Sequence, residues 1–376
     1  MKKIKALKVL YHGRCVGRLA LYKGTLAAFE YDAQWIREGF SVSPFSLPLE
    51  SRVFIPKIDP FDGLYGVFAD SLPDGWGRLL VDRMMLSMHT NPHEAGVLDR
   101  LAIVGSSGMG ALTFEPEHTF ISQEQALDLD RIAEECSRIL QTDYSEDLDE
   151  LFRLGGSSGG ARPKILTQID GEEWIIKFPA SKDGDIIGLQ EYEYSMCAKE
   201  CGIIMEETRL FPSKRCAGYF GTRRFDRVKE EEGTQRRRHM ISASALLETS
   251  HRIPNLDYEV LMKLTLEMTK DFAELEKLYR LMCFNVFAHN RDDHSKNFSY
   301  LYEEEEQRWI LSPAYDLTYS YSLGGEHATT VHGEGKEPAM KDILAIADII
   351  GMDRQKAKII AQEIKDCVQL RLGSYL

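Results

Sequence analysis

The feature that most restricts the fold is a glycine-dense run at Leu154–Ala161, where the character of the chain changes. Gly155, Gly156, Gly159 and Gly160 permit close backbone approach, and their free amides can form a nest for an anion. The run leads into Pro163–Ile169, a turn at Asp170-Gly171, and Glu173–Phe178, which together predict a hairpin. A helix over Ile187–Cys201 and strands over Thr208–Pro212 and Ala217–Phe225 follow. Beyond about residue 242 the pattern is helical: Ala243–Thr249, Tyr258–Phe272, Glu274–Ala288 and Lys341–Val368, interrupted by an acidic hairpin at Tyr300–Trp309. Upstream, Val9–Leu21 reads as a hairpin turning at His12-Gly13-Arg14, with a third strand at Thr25–Tyr31. Helices are expected over Trp76–Met85 and Ala95–Ala102. The acidic stretch 120–150 reads as a helical connection, with Ser122 as N-cap and Gln125 completing a capping box. The order is that of a two-lobed chain, β-rich first and helical last.

Composition narrows the function. A length of 376 residues suggests two domains, or a large one with a smaller one attached. Asp and Glu outnumber Lys and Arg by 59 to 46, a net charge of −13. Phosphate backbones repel such a chain, so direct nucleic-acid binding is not expected. The seven cysteines are odd in number and lack a C-x-x-C; the closest pair is Cys197 and Cys201. Neither they nor the histidines show the spacing of a zinc site, and a disulfide framework is not expected. Lysines break the apolar pattern at the start, and no apolar run approaches the roughly 20 residues of a membrane span. The expectation is a cytoplasmic protein with no membrane segment.

The chemistry concentrates in His289–Asn297, where Arg291-Asp292 is followed by Asn297. R-D-x-x-x-x-N is the spacing of a protein-kinase catalytic loop: the Asp orients or deprotonates an attacking hydroxyl and the Asn ligates magnesium. A second metal carboxylate is expected after the next strand, and Asp316 supplies it. Lys177, alternating with apolar neighbours, is the candidate strand lysine for nucleotide phosphates; Glu191, or less well Glu193, is the candidate helix carboxylate. Each has a bland alternative. Asp316 could be a helix N-cap, Lys177 an edge-strand lysine, the glycine run a linker, and His294 a partner of backbone groups. The order of the pieces favours the kinase reading.

The chain resembles the HipA family of serine/threonine kinases, toxin components of bacterial toxin–antitoxin modules. The resemblance is carried by Phe68–Trp76, Gly156–Lys164, Glu191-Tyr192 before Ala198–Gly202, Arg224–Arg227, Asp292–Ser299 and Pro313–Asp316. It implies an α+β, protein-kinase-like fold: an N-terminal β-rich subdomain (1–115), a linker helix and small lobe (116–240), and a helical C-lobe (241–376). It makes Asp292 the catalytic base and gives magnesium to Asn297 and Asp316. Nucleotide contacts fall on Lys177, on Gly159, Gly160, Ala161, Arg162, Pro163 and Lys164 closing over ATP, and on the backbone of Arg223, Arg224 and Phe225 at the adenine. His294, Ser295, Lys296 and Tyr315 complete that set. The regulatory autophosphorylated serine falls on Ser157, with Ser158 beside it.

The resemblance further implies a protein substrate, an aminoacyl-tRNA synthetase in well-known members. It also implies a HipB-like helix-turn-helix antitoxin, with operator DNA reached mainly through that partner. Arg162-Pro163 departs from the Gln-Glu pair of the best-known members, and the insert 229–238 has no match, reading as a solvated hairpin tip. Two rival functions share these residues: a small-molecule or lipid kinase, and a catalytically silent corepressor bound to the antitoxin.

Overall fold

The computed structural model describes residues 3–118, 128–141, 148–180, 182–230, 235–321 and 324–376. The expected capping box at Ser122 and Gln125 lies outside them. The chain divides into two units, Met1–Ile186 with Phe211–Ile241 and Ala245–Thr249, and Ile187–Leu210 with Ser242–Ser244 and Ser250–Leu376.

In the first unit, β1 (Ala6–Tyr11) buries Leu7, Val9 and Tyr11 by alternation, β2 (Arg14–Tyr22) buries Val16 and Leu19 beside a register shift against β1, and β3 (Leu26–Tyr31) buries Phe29. With β4 (Val53–Phe54) and β5 (Leu112–Glu115) they form an antiparallel sheet of order β4-β3-β2-β1-β5. His12 and Gly13 both take positive φ (48° and 75°), making a two-residue turn whose twist suits the strands. The helices α1 (Ala33–Glu38), α2 (Gly66–Ala69), α3 (Gly75–Ser87) and α4 (Val97–Val104) follow. The last is displaced by two residues from expectation, because the Asp99 carboxylate accepts from the Gly96 N–H at 2.8 Å and fixes the start there.

Next come α5 (Leu129–Leu140) and α6 (Leu148–Gly155), so the glycine run begins as the last turn of a helix. Strands β6 (Lys164–Ile169) and β7 (Glu172–Lys177) form the expected hairpin. The helix α7 (Ile187–Glu200) and strand β8 (Thr208–Phe211) precede β9 (Tyr219–Arg223), which pairs antiparallel with β7. Trp76 and Leu80 of α3, Ile132, Cys136 and Ile139 of α5, and Leu151 and Phe152 of α6 share one core with Ile165, Ile176 and Tyr219 of these strands. The α5 residues recur at i, i+4 and i+7, one face of a helix. Around the insert, β10 (Arg227–Lys229) and β11 (Gln235–Arg237) pair antiparallel; residues 231–234 lie outside the described set.

Buried His239 also belongs to this unit. Its Nε2–H donates to the Val42 carbonyl at 2.9 Å, and its ring meets Tyr11 and Phe40. Burial pushes its pKa down to about 4, against the small opposing effect of that hydrogen bond. An unfolded chain takes up this proton near pH 6.5, so stability present above that pH declines as the pH falls toward 4, by at most about 1.4 kcal/mol per pH unit. Urea unfolding between pH 7 and 4 should show a shallower decline in His239→Gln. An unaltered slope would assign the titration elsewhere.

The second unit contains α7, β13 (Leu256–Asp257), α9 (Tyr258–Thr269), α10 (Phe272–Phe287), α11 (Met340–Ile349) and α12 (Arg354–Leu372); β12 (Met240–Ser242) and α8 (Ala243–Leu246) each have residues in both units. Asp257, Asp271 and Asp353 cap α9, α10 and α12, each accepting from a backbone N–H of the first turn. The stretch Lys341–Val368, expected as one helix, is two. Gly351 (φ +72°) terminates α11 as Gly351 N–H donates to Asp348 O and Met352 N–H to Ala347 O, and Asp353 then starts α12. The acidic hairpin is β14 (Ser299–Glu303) and β15 (Arg308–Leu311), and β13 runs parallel to β16 (Thr329–Thr330). Among the described residues, no helix is long and apolar enough to cross a membrane.

Candidate nucleotide and catalytic site

The sequence-predicted residues fall into a group in each unit. In the first, the glycine loop is pressed onto Asp74–Gly77 at the start of α3. Trp76 N–H donates to Gly160 O at 2.9 Å, Trp76 Nε1–H to Lys164 O at 3.1 Å, and Gly160 N–H to the Asp74 carboxylate. A Cβ on Gly77 would lie 2.2 Å from Ser158 O, and one on Gly155 would lie 2.9 Å from Trp76 Nε1. Only glycine permits this contact on both sides. Sequence reasoning saw Phe68–Trp76 as a match without a role; the role is to seat the loop. Removing the charged acceptor costs about 1.5–3 kcal/mol of local stability. Asp74→Ala should therefore speed amide exchange over 157–162 by about 10- to 100-fold. Unchanged protection would show that the tryptophan contacts suffice.

Lys164 and Lys177 are direct cross-strand partners on β6 and β7. Lys164 is buried, and a Cβ on Gly160 would lie 2.7 Å from its Nζ, while Lys177 Nζ lies 5.5 Å from the Phe220 ring centre. Arg162 pairs with Asp183 at 3.1 Å, and Pro163 O accepts from Phe178 N–H. Ser157 and Ser158 are both buried: the Ser157 hydroxyl donates to Ser107 O at 3.0 Å and the Ser158 hydroxyl to Gly155 O at 2.6 Å. Modification of either requires the loop to leave this position.

The charged side chains of Arg224–Arg227 are structural. Arg224 and Arg227 both bond Asp226 and both donate to Gly108 O, and Gly110 N–H donates to Asp226 at 2.7 Å. Burial alone would raise the Asp226 carboxyl; the two guanidiniums hold it below the ordinary range instead. Arg223 pairs with Glu172, and Phe225 is buried.

In the second unit the catalytic-loop candidate hangs from Asp293, a residue sequence reasoning passed over. The Asp293 carboxylate is fully buried and accepts from Tyr258 Oη–H (3.0 Å), His327 Nδ1–H (2.9 Å) and Thr329 N–H (3.1 Å). Burial, with Asp293 alongside, pushes the Tyr258 hydroxyl well above its usual range, so it remains a donor. Asn285 Nδ2–H bonds Tyr258 Oη, and Asn290 Nδ2–H bonds Asn285 Oδ1. The only sequence signal for this anchor was the second acid of Asp292-Asp293; its partners at 258, 327 and 329 are too distant in the chain to read.

Asp292 points the other way, its side chain 64% exposed, with His294 Nε2 3.8 Å from Oδ1. The His294 ring leans on His251, and Ser295 is buried. Asn297 Nδ2–H donates to Asp292 O at 2.7 Å, which leaves Oδ1 as its atom for a cation. Tyr315 Oη–H donates to Lys296 O at 2.6 Å and meets Ser299 Oγ at 2.6 Å, tying the residue before Asp316 to the residue before Asn297. Asp316 has φ +55°, uncommon for a non-glycine residue, and no helix follows for it to cap. An oxygen pair from Asn and Asp is suited to magnesium. Glu191 is buried on α7.

Residues 7–115 match the HipA N-terminal domain family, and residues 156–371 match the HipA-like C-terminal domain family. A protein of Sinorhizobium fredii named "Putative kinase Y4mE" is 26% identical over 346 residues, spanning 84% of this chain and 77% of its own length. The HipA chain in a complex of Shewanella oneidensis HipA, HipB and operator DNA superposes with a TM-score of 0.71 at 18% identity, covering 97% of this chain and 90% of that one. The fold is thus that of HipA, β-rich in its N-terminal part and helical in its C-terminal region. With a family model spanning residues 156–371, more than half of its length, this chain belongs to the HipA family.

Proposed function

We propose that the chain is an ATP- and magnesium-dependent serine/threonine-protein kinase of the HipA toxin type, acting on a protein hydroxyl. One observation carries the reading: a loop anchored through buried Asp293 presents exposed Asp292, with Asn297 and the Tyr315-Asp316 segment bonded to the same loop. In this reading Asp292 orients the acceptor hydroxyl and takes its proton. Asn297 Oδ1 and the Asp316 carboxylate hold magnesium, whose charge offsets that of the transferring phosphoryl group. The glycine loop with Lys164 and Lys177 receives the nucleotide phosphates, and the Arg223–Phe225 backbone receives the adenine. Catalysis then comes from positioning and charge stabilisation.

Phosphate on Ser157 or Ser158 would add about two negative charges to a buried loop and hold it out of its seat. Such a modification would be a switch rather than a surface mark. The structural neighbour bound to HipB and operator DNA supports a HipB-like antitoxin as partner, with DNA reached through it. The family resemblance makes an aminoacyl-tRNA synthetase the first class of substrate to test.

Mass spectrometry of phosphatase-treated protein incubated with ATP and magnesium tests the chemistry. Trypsin releases Leu154–Lys164 as one peptide, since Arg162 precedes proline. Phosphate on that peptide is the expected result. Failure to bind ATP under these conditions would overturn the kinase reading.

A further inference from the structure

Two neighbouring cysteines and a third from far along the chain meet in the second unit. Cys197 and Cys201 lie one helical turn apart at the end of α7, and Cys367 comes from α12; their Sγ atoms all lie within 4.8 Å of one another. We propose that they form a three-thiolate site for a thiophilic d10 cation of zinc-like size, which pins α12 to α7. None of the three is among the residues assigned above to phosphoryl transfer.

The geometry favours a metal over a disulfide. At a metal–sulfur distance of about 2.3 Å, three thiolates around one ion sit roughly 3.8–4.0 Å apart, so the observed cluster needs a shift of less than about 1 Å. Residues i and i+4 of a helix hold their Cβ atoms about 5–6 Å apart, beyond the roughly 3.5–4.5 Å of a disulfide. Cys197 and Cys201 therefore cannot bridge each other without breaking the helical turn in which Cys201 N–H donates to Cys197 O at 2.9 Å. A bridge from either to Cys367 would leave the third thiol unused.

The surroundings are fixed. Gly202, with φ +75°, closes α7 through Gly202 N–H to Lys199 O and Ile203 N–H to Ala198 O, which sets Cys201 beside the helix end. Cys197 and Cys201 are buried, whereas Cys367 is half-buried, so the cluster has one partly exposed member on which an ion from solvent could first bind. Arg371, one turn beyond Cys367, pairs with Glu200 at 2.8 Å, so a neutral ion pair rather than a bare carboxylate borders the thiols. Binding would release the thiol protons, making uptake stronger as pH rises.

Titration of the full chain with Cd2+, under reducing conditions, provides the test. One ion per chain is expected, with a sulfur-to-cadmium charge-transfer band. Bound Cd2+ should protect Cys367, the half-buried member of the cluster, from alkylation while leaving half-buried Cys15 and Cys216 as reactive as before. Cys367→Ser should weaken binding by at least about 100-fold with an unchanged circular-dichroism spectrum. Absence of the band, an equal band in the variant, or equal alkylation with and without Cd2+ would each overturn the proposal. So would a disulfide to Cys367 in protein that takes up no cadmium. The alkylation arm needs no substitution, so a misfolded variant would not shield the proposal.

Discussion

Asp292→Asn should lower phosphoryl transfer by about 10²- to 10⁴-fold, the usual contribution of a positioned general base, or about 3–5 kcal/mol in activation free energy. The amide keeps the shape of the side chain but cannot take the hydroxyl proton. The fold should not respond, because the Asp292 side chain is largely exposed and the loop is held by other groups. Those groups are the buried carboxylate of Asp293 and the bond from Asn297 to the Asp292 carbonyl, which uses main chain. ATP affinity should also hold, since in this reading Asp292 serves the acceptor and not the nucleotide. The measurement is single-turnover transfer of labelled phosphate beside a melting curve. Transfer at the wild-type rate in a natively folded variant would remove Asp292 from the role of base. A variant that also melted early would instead show a structural part for its carboxylate.

Asp226→Ala has the largest expected effect on stability. Asp226 has no exposed side-chain surface, and Arg224 and Arg227 are only 2% and 7% exposed. Removing the anion leaves two guanidiniums buried and mutually repelling, and deprives the Gly110 N–H of its acceptor. Breaking a buried ion pair from one side costs about 3–5 kcal/mol, because the remaining charge loses its compensation. For a unit of this size that is a fall of roughly 6–20 °C in Tm. The carboxyl titrates below its ordinary range, so this stabilisation is complete above about pH 4 and fades as the pH falls further. A Tm within about 2 °C of wild type would mean that the arginines find other partners, and the ion cluster would lose its structural role.

The two predictions mark different depths of legibility. The R-D-x-x-x-x-N spacing is local, so Asp292 and Asn297 could be picked out with nothing folded, and the Asp170-Gly171 turn placed the β6–β7 hairpin correctly. Arg224 and Asp226 were equally visible, yet their side chains do something the motif did not reveal. They bond Gly108 and Gly110, more than 100 positions earlier. The same holds for Asp74 against Gly160, for Asp293 against Tyr258 and Thr329, and for Cys367 against the α7 cysteines. Helix ends also escaped where short-range hydrogen bonds overrode the apolar pattern. At Gly351 the periodicity of Lys341–Val368 continues straight through a left-handed residue that the backbone uses to stop.

By itself, the sequence determined the family resemblance, the order β-rich then helical, the turns and the short motifs, because period and local turn chemistry act over a few residues. Tertiary structure alone decided which charges are buried, what seats the glycine loop, how the catalytic loop is hung and where three thiols meet. Those outcomes depend on close packing between segments far apart in the chain, where a side chain's partners, and so its chemistry, are chosen by the fold.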